Sequence, residues 1–126
     1  MKYKTDEIEA DWYRWLNRSK PSNEPFMRLY RVMLLIDALS QATGHGEITI
    51  TCFIRAQDFD SYHSKAQAAD FSLKGKSKEW YAAMILFRDV LRRLDWQVQL
   101  VPHLEIYGQD HQHIHVEIDD NSLTKR

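Results

Sequence analysis

The segment near the C-terminal end of the chain, residues 111–118 (HQHIHVEI), alternates strictly between polar and apolar side chains. Successive side chains of a β-strand point to opposite faces, so this period of two predicts a strand at about residues 112–118. Ile114, Val116 and Ile118 would face the core. The opposite face would carry three imidazoles and a carboxylate, those of His111, His113, His115 and Glu117. Neutral imidazole is the commonest nitrogen ligand of zinc, so this row suits a metal site. Taken alone, the row fits an exposed strand face with fortuitous metal affinity equally well.

A second pair of polar residues lies upstream, where His63 precedes Asp70 by seven positions in the segment SYHSKAQAAD. Residues 68–73 alternate as a short strand with Ala69 and Phe71 toward the core, so Asp70 should point to the opposite face. Taken singly, each residue is best interpreted as a solvated side chain. Two histidines and one carboxylate, with a fourth position left for water, nevertheless form a known catalytic zinc arrangement.

Apolar spacing along the rest of the chain predicts an α+β domain with helices packed on a small antiparallel sheet. The predicted elements are helices at 5–17 and 25–43, strands at 47–54 and 68–73, a helix at 78–94, and strands within 96–107 and at 112–118. Thr5 is the predicted N-cap of the first helix, and Gly44 suits the end of the second. In the strand at 47–54, uninterrupted alternation puts Cys52 on the apolar face as a buried small hydrophobe. It puts Phe53 on the other face with Arg55.

The bulk composition is that of an ordinary globular chain. Its 126 residues suit one domain, predicted as an N-terminal helix and loop (1–24), a core (25–118) and a tail (119–126). Seventeen basic residues oppose eighteen acidic ones, so we expect no nucleic-acid partner. Acidic residues near the N-terminus and the lack of an 18-residue apolar window predict synthesis in the cytoplasm, no signal peptide and no membrane partner. We expect a monomer.

The motif Ser61-x-His63-x6-Asp70, followed by a closing strand with His113-x-His115, resembles the D-Ala-D-Ala metallopeptidase family. That family includes zinc D-alanyl-D-alanine carboxypeptidases, related dipeptidases and the L-alanyl-D-glutamate endopeptidases of phage lysis enzymes. It shares the architecture of its zinc site with the hedgehog signalling domain and with lysostaphin-type peptidases. Residues 26–118 follow the order of elements in the family core, and Arg55 stands where the family has an arginine.

By this resemblance, the ligands of a Zn²⁺ ion are His63, Asp70 and His115. Arg55 would contact the substrate and stabilise the oxyanion, and Ser61 would shape the loop.

The chain departs from the family at two positions. Ala66 stands where a glycine is usual, and Gln112 replaces a glutamate that serves many members as general base. Glutamine does not take a proton, so the resemblance leaves His113 or Asp110 as the catalytic base. Glu105 is the next candidate.

The function that the resemblance implies is zinc-dependent hydrolysis of peptidoglycan stem-peptide bonds, as a carboxypeptidase or an endopeptidase. Without a signal peptide, such an enzyme would be released by phage lysis or carried in a virion. A different class of function is a non-catalytic zinc-binding relative that serves as a binding or structural module. A third is a metal-free helix–sheet adaptor with incidental histidines.

Overall fold

The computed structural model describes residues 1–18, 24–54, 62–63, 65–72, 78–94, 98–103 and 113–119. Within these ranges the chain forms three helices and five strands, which confirms the α+β class. The elements in chain order are β1 (Lys2–Tyr3), α1 (Asp6–Arg18), α2 (Pro25–Ala42), β2 (Thr49–Cys52), β3 (Ala68–Ser72), α3 (Lys78–Leu94), β4 (Val98–His103) and β5 (His113–Ile118).

The strands form one sheet in the order β1-β2-β3-β5-β4. The pairs β2–β3, β3–β5 and β4–β5 are antiparallel, whereas β1 is parallel to β2, with Lys2 opposite Thr49. The prediction of an antiparallel sheet is therefore wrong at this edge, and the sheet is mixed. β1 has two residues, too few for any periodicity to reveal it. Main-chain hydrogen bonds place it, from the Lys2 N–H to the Ile48 carbonyl and from the Lys4 N–H to the Ile50 carbonyl, both 2.9 Å.

Helix α1 begins, and helix α2 ends, at residues with recognisable capping chemistry. The Thr5 hydroxyl accepts a hydrogen bond from the Ile8 N–H at 3.2 Å, as expected of an N-cap. At the end of α2, the Gly44 N–H donates to the Gln41 carbonyl and the His45 N–H to the Ser40 carbonyl. These two bonds form a Schellman motif, and Gly44 adopts the left-handed φ of +80° that the motif requires.

One apolar core joins the helices to the inner face of the sheet. Trp12 of α1 packs edge-on against Phe26 of α2 and Phe53 after β2, at ring-centroid distances of 5.3 and 4.9 Å. The three apolar residues of β5, Ile114, Val116 and Ile118, are buried, which confirms the alternation predicted for that strand. The opposite face of the central strands is consequently free to carry polar side chains. No helix in the described parts of the chain has the length and apolar character to cross a membrane.

Candidate metal centre

The pairing of three neighbouring strands places Cys52, Asp70 and His115 in one row across the sheet. Cys52 of β2 is the register partner of Asp70 of β3, and Asp70 is the partner of His115 of β5. Register partners on adjacent strands lie about 5 Å apart and share a face of the sheet. The row therefore brings a thiol, a carboxylate and an imidazole together on the face opposite the apolar core.

Cys52 reaches this row because β2 contains an irregularity. The register with β3 shifts between Ile50, which pairs with Phe71, and Cys52, which pairs with Asp70. Alternation is interrupted there, so Phe53 turns into the core with 1% of its surface exposed. The predictions of a buried, apolar Cys52 and an outward Phe53 are therefore wrong. Bulges that re-aim a side chain are frequent next to functional sites.

Hydrogen bonds join the loop that carries His63 to the end of β5. Gln67 accepts a hydrogen bond from the Ile118 N–H at 2.9 Å, and its side-chain amide donates to the Ile118 carbonyl at 3.1 Å. The buried Tyr62 donates its hydroxyl proton to the Asp119 carboxylate at 2.6 Å. His63 therefore occupies a defined position over the row, between Cys52 and the ring of His115, whose centroid is 5.0 Å from that of His63.

Ala66, which stands where the resembled family has glycine, adopts a left-handed φ of +57°. A glycine at this position would avoid the strain of an alanine in the left-handed region, roughly 1–2 kcal/mol. Glycine would lose the buried methyl group and add unfolded-state entropy, at about 0.8 kcal/mol and about 0.5–1 kcal/mol respectively. We therefore expect Ala66→Gly to change the free energy of unfolding by less than about 1 kcal/mol, measured by urea denaturation. Ala66→Val should destabilise by more than about 2 kcal/mol, because a β-branched residue resists this φ; equal stability of the two variants would contradict the assignment.

The two nitrogens of His63 have different environments. Nδ1 lies 2.7 Å from the Phe53 carbonyl, and because a carbonyl only accepts, Nδ1 must carry a proton. Nε2 is buried and makes no hydrogen bond to any described residue. It lies 3.3 Å from Asp70 Oδ1, within ion-pair distance but without the geometry of a hydrogen bond. In the neutral ring, therefore, an unshared electron pair on Nε2 faces the carboxylate.

Asp70 and Glu117 bracket the ring of His115. His115 Nδ1 lies 2.8 Å from Asp70 Oδ1, and His115 Nε2 lies 2.8 Å from Glu117 Oε1. Glu117 has 5% of its surface exposed, so this carboxylate is positioned inside the protein. A second carboxylate on the far nitrogen of a ligating histidine fixes the tautomer and the orientation of the ring.

The charges of the cluster support one another. Burial alone would lower the pKa of His63, but its contacts with Asp70 and Cys52 outweigh burial and raise that pKa to about 9. Burial would raise the pKa of Asp70, and the two histidines instead hold it well below its usual range. Despite burial, Asp70 and Glu117 raise the pKa of His115. Without a metal, Asp70 is therefore an ionised carboxylate at neutral pH and His63 is an imidazolium ring, while the same carboxylate favours the protonated form of His115.

A metal ion fits this donor set. One ligand atom each from Cys52, His63 and Asp70 lies within 4.8 Å of the others, and the three residues could hold a metal ion. The buried, unbonded Nε2 of His63 is the feature that a metal would satisfy, and His115 adds a second imidazole on the same carboxylate. Nitrogen, oxygen and sulfur donors together are ligands of divalent transition metals.

The structure brings together His63, Asp70 and His115, the three residues predicted as ligands. His113 lies at the rim of the cluster, half-buried, with Nε2 3.8 Å from Asp70 Oδ2. Arg55 and Asp110 lie outside the described residues, as do Ser61, Glu105, His111 and Gln112, so their roles stay predictions. Sequence reasoning assigned no role to Glu117, although its place in the alternating row was a signal.

Glu117→Gln should weaken zinc binding by about 10- to 100-fold, the usual cost of losing the partner of a ligating histidine. The amide keeps the size of the side chain but can present its NH₂ group to His115 Nε2, so the orientation of the ring is no longer fixed. Zinc affinity is measured by competition with a chelating dye on folded protein. An affinity equal to that of the parent protein would show that Glu117 does not position His115.

Comparison of the chain with protein-family models, with curated proteins and with solved structures found no match.

Proposed function

We propose that this chain is a zinc-dependent peptidase domain with His63, Asp70 and His115 as ligands. The observation that carries the proposal is the buried Nε2 of His63, which lies against Asp70 while Nδ1 is held by the Phe53 carbonyl. A ligating histidine typically has this arrangement, in which one nitrogen donates to a carbonyl and the other is left for the metal.

Zinc, when bound, supplies a Lewis acid that polarises a peptide carbonyl and lowers the pKa of water. The chain's own residues must then bind the substrate and move a proton. His113 is the proposed base, because it shares its strand face with His115 and is more exposed than the other histidines of the cluster. Arg55 is proposed to bind the oxyanion, and Asp110 is the second candidate for the base.

The proposed substrate is the stem peptide of peptidoglycan. This part of the proposal depends on the motif formed by Ser61, His63 and Asp70 and on the closing histidine pair, which resemble the D-Ala-D-Ala metallopeptidases. The hedgehog-like arrangement of the sheet, and release by phage lysis or carriage in a virion, belong to the same proposal.

A second candidate function is a zinc-binding structural or binding module without catalysis. Two features favour it: Gln112 stands in place of the family's glutamate, and Cys52 offers a further donor beside the cluster. Metal sites with four protein ligands are usually structural, whereas catalytic sites keep a position open.

The deciding experiment is digestion of purified peptidoglycan by untagged protein loaded with zinc, with the products identified by mass spectrometry. We expect new termini at a stem-peptide bond that disappear with a chelator and return with zinc. His63→Ala should be inactive, whereas His45→Ala, which removes a histidine from the turn after α2, should match the parent protein. Stoichiometric zinc without any product would favour the non-catalytic module.

His113→Ala should lower turnover by about 10²-fold or more at unchanged zinc occupancy, as expected when a general base is removed. The matched comparison is Asp110→Asn, assayed on the same substrate. Loss of turnover in the aspartate variant alone would make His113 a bystander, and loss in neither would move the base to another residue, with Glu105 the first to test.

A further inference from the structure

Cys52 is the donor that the proposed peptidase site does not use. The bulge in β2 brings it into the row with Asp70 and His115, and it is the single cysteine of the chain. Its Sγ lies 4.0 Å from His63 Nδ1, and the thiol is partly buried. An apolar role is excluded by this position, because the core lies on the opposite face of the sheet.

The distances around Cys52 are close to those of a coordination sphere. Sulfur, nitrogen and oxygen donors on one tetrahedral zinc lie roughly 3.3–3.7 Å apart, from zinc–ligand bonds of about 2.0–2.3 Å. The ligand atoms of Cys52, His63 and Asp70 all lie within 4.8 Å of one another. A shift of the sulfur by about one ångström, which a change in the side-chain torsion of Cys52 can produce, would convert the metal-free spacing into the coordinated one.

A second observation points independently to a ligand at this place. His63 has 2% of its surface exposed, and its Nε2 has no hydrogen bond to a described residue. Asp70 Oδ1 lies 3.3 Å from this nitrogen, so in the neutral ring the buried Nε2 faces a carboxylate without a hydrogen bond, a cost that a bound cation removes. The ligand atom of His63 lies within 4.8 Å of those of Cys52 and Asp70. The centroid of the His115 ring is 5.0 Å from that of His63, so a cation bound to His63 would have all three residues around it.

We propose that Cys52 is a fourth protein ligand, which binds the metal as a thiolate together with His63, Asp70 and His115. The thiol proton is released to solvent when the metal binds, and the sulfur occupies the position that a hydrolytic site leaves open. The inference rests on the metal site of the proposed function and adds a consequence, namely that the thiolate competes with water and substrate for the fourth position and slows hydrolysis in the parent protein. Thiolate ligation also predicts a preference for zinc, cadmium and cobalt over manganese and magnesium.

The test is the absorption spectrum of the full untagged chain titrated with Co²⁺ under reducing conditions. Because the chain has one cysteine, any thiolate-to-cobalt charge-transfer band must come from Cys52. We expect this near-ultraviolet band in the parent protein and in Thr49→Ala, which removes another polar side chain from β2. The band should be absent from Cys52→Ser and Cys52→Ala, and the Cd²⁺ affinity of these variants should fall by about 10²-fold.

The outcomes separate this inference from the function it builds on. Bound cobalt with visible d–d bands but no charge-transfer band in the parent protein would overturn the role of Cys52 and leave the three-ligand site standing. Failure of the parent protein to bind cobalt, zinc or cadmium would overturn both. If the charge-transfer band is present, zinc-loaded Cys52→Ala should hydrolyse peptidoglycan at least about tenfold faster than the parent protein. An unchanged rate would overturn the blocking role of the thiolate.

Discussion

Replacing His63 with alanine should lower zinc affinity by about 100- to 1,000-fold. An apparent binding free energy of about 10–16 kcal/mol for a structural zinc site, divided among four ligands including the proposed Cys52, gives roughly 2.5–4 kcal/mol for each. His63 should be at the upper end, because its Nε2 is buried beside Asp70 and its ring is already oriented by the Phe53 carbonyl. No reorganisation of the ring is needed when a metal binds.

The measurement is zinc stoichiometry after dialysis, followed by competition with a chelating dye. His45→Ala is the matched control, because it removes a histidine of the same chemistry from a turn that belongs to α2 and not to the cluster. His115→Ala should behave like His63→Ala. A zinc affinity equal to that of the parent protein in either ligand variant, with the fold intact by circular dichroism, would place the metal elsewhere and contradict the proposed site.

The sequence allowed the ligand strands to be predicted because each has a buried inner face. Ile114, Val116 and Ile118 had to face the core, and one residue of slip would have exposed all three. That requirement fixed His113, His115 and Glu117 on the other face. Asp70 followed in the same way from Ala69 and Phe71, both of which are fully buried.

What the sequence did not allow to be predicted depends on contacts between distant segments. The bulge in β2 is defined by its register with β3, and periodicity within residues 47–54 alone gave the wrong face for Cys52. β1 exists only as a two-residue pairing with β2. The role of Glu117 depends on the orientation of the His115 ring, which no sequence pattern specifies.

The conformation at Ala66 could be predicted only in part from the sequence. The resemblance marked the position as one that usually has glycine, and Ala66 has a left-handed φ, which glycine adopts more readily than other residues. Alanine is the smallest residue with a Cβ, and the surrounding bonds from Gln67 to Ile118 hold the loop in place at a modest energetic cost.

The stability of the metal-free protein should decrease as the pH rises from 6.5 to 9, whereas zinc binding should become stronger over the same range. The pKa of His63 is raised from 6.5 to about 9, so folding favours the protonated ring. Its contribution is complete below pH 6.5 and is lost as the pH rises through 9, and the linkage corresponds to about 3 kcal/mol. His115 contributes in the same sense, because its pKa is also raised.

Asp70 sets the acid limit of this stability. Its pKa is held below the ordinary value of 3.8, so its contribution is present above that pH and is lost as the carboxylate is protonated in stronger acid. The metal-free protein should therefore be most stable between about pH 4 and 6.5 as far as this cluster is concerned. Asp70→Asn should flatten the profile on both sides, since the amide has no charge to hold either imidazolium.

Zinc should reverse the loss of stability at alkaline pH, because zinc and protons compete for the same nitrogens. The protons that His63 Nε2 and His115 carry at pH 6 must leave before these residues bind a metal, so zinc affinity should rise by up to about two orders of magnitude per pH unit below their pKa values. Melting temperatures measured from pH 6 to 9, with zinc and with a chelator, should therefore diverge as the pH increases. Parallel curves would mean that the metal, if it binds, displaces no proton from this cluster, and the assignment of His63 and His115 as ligands would then be wrong.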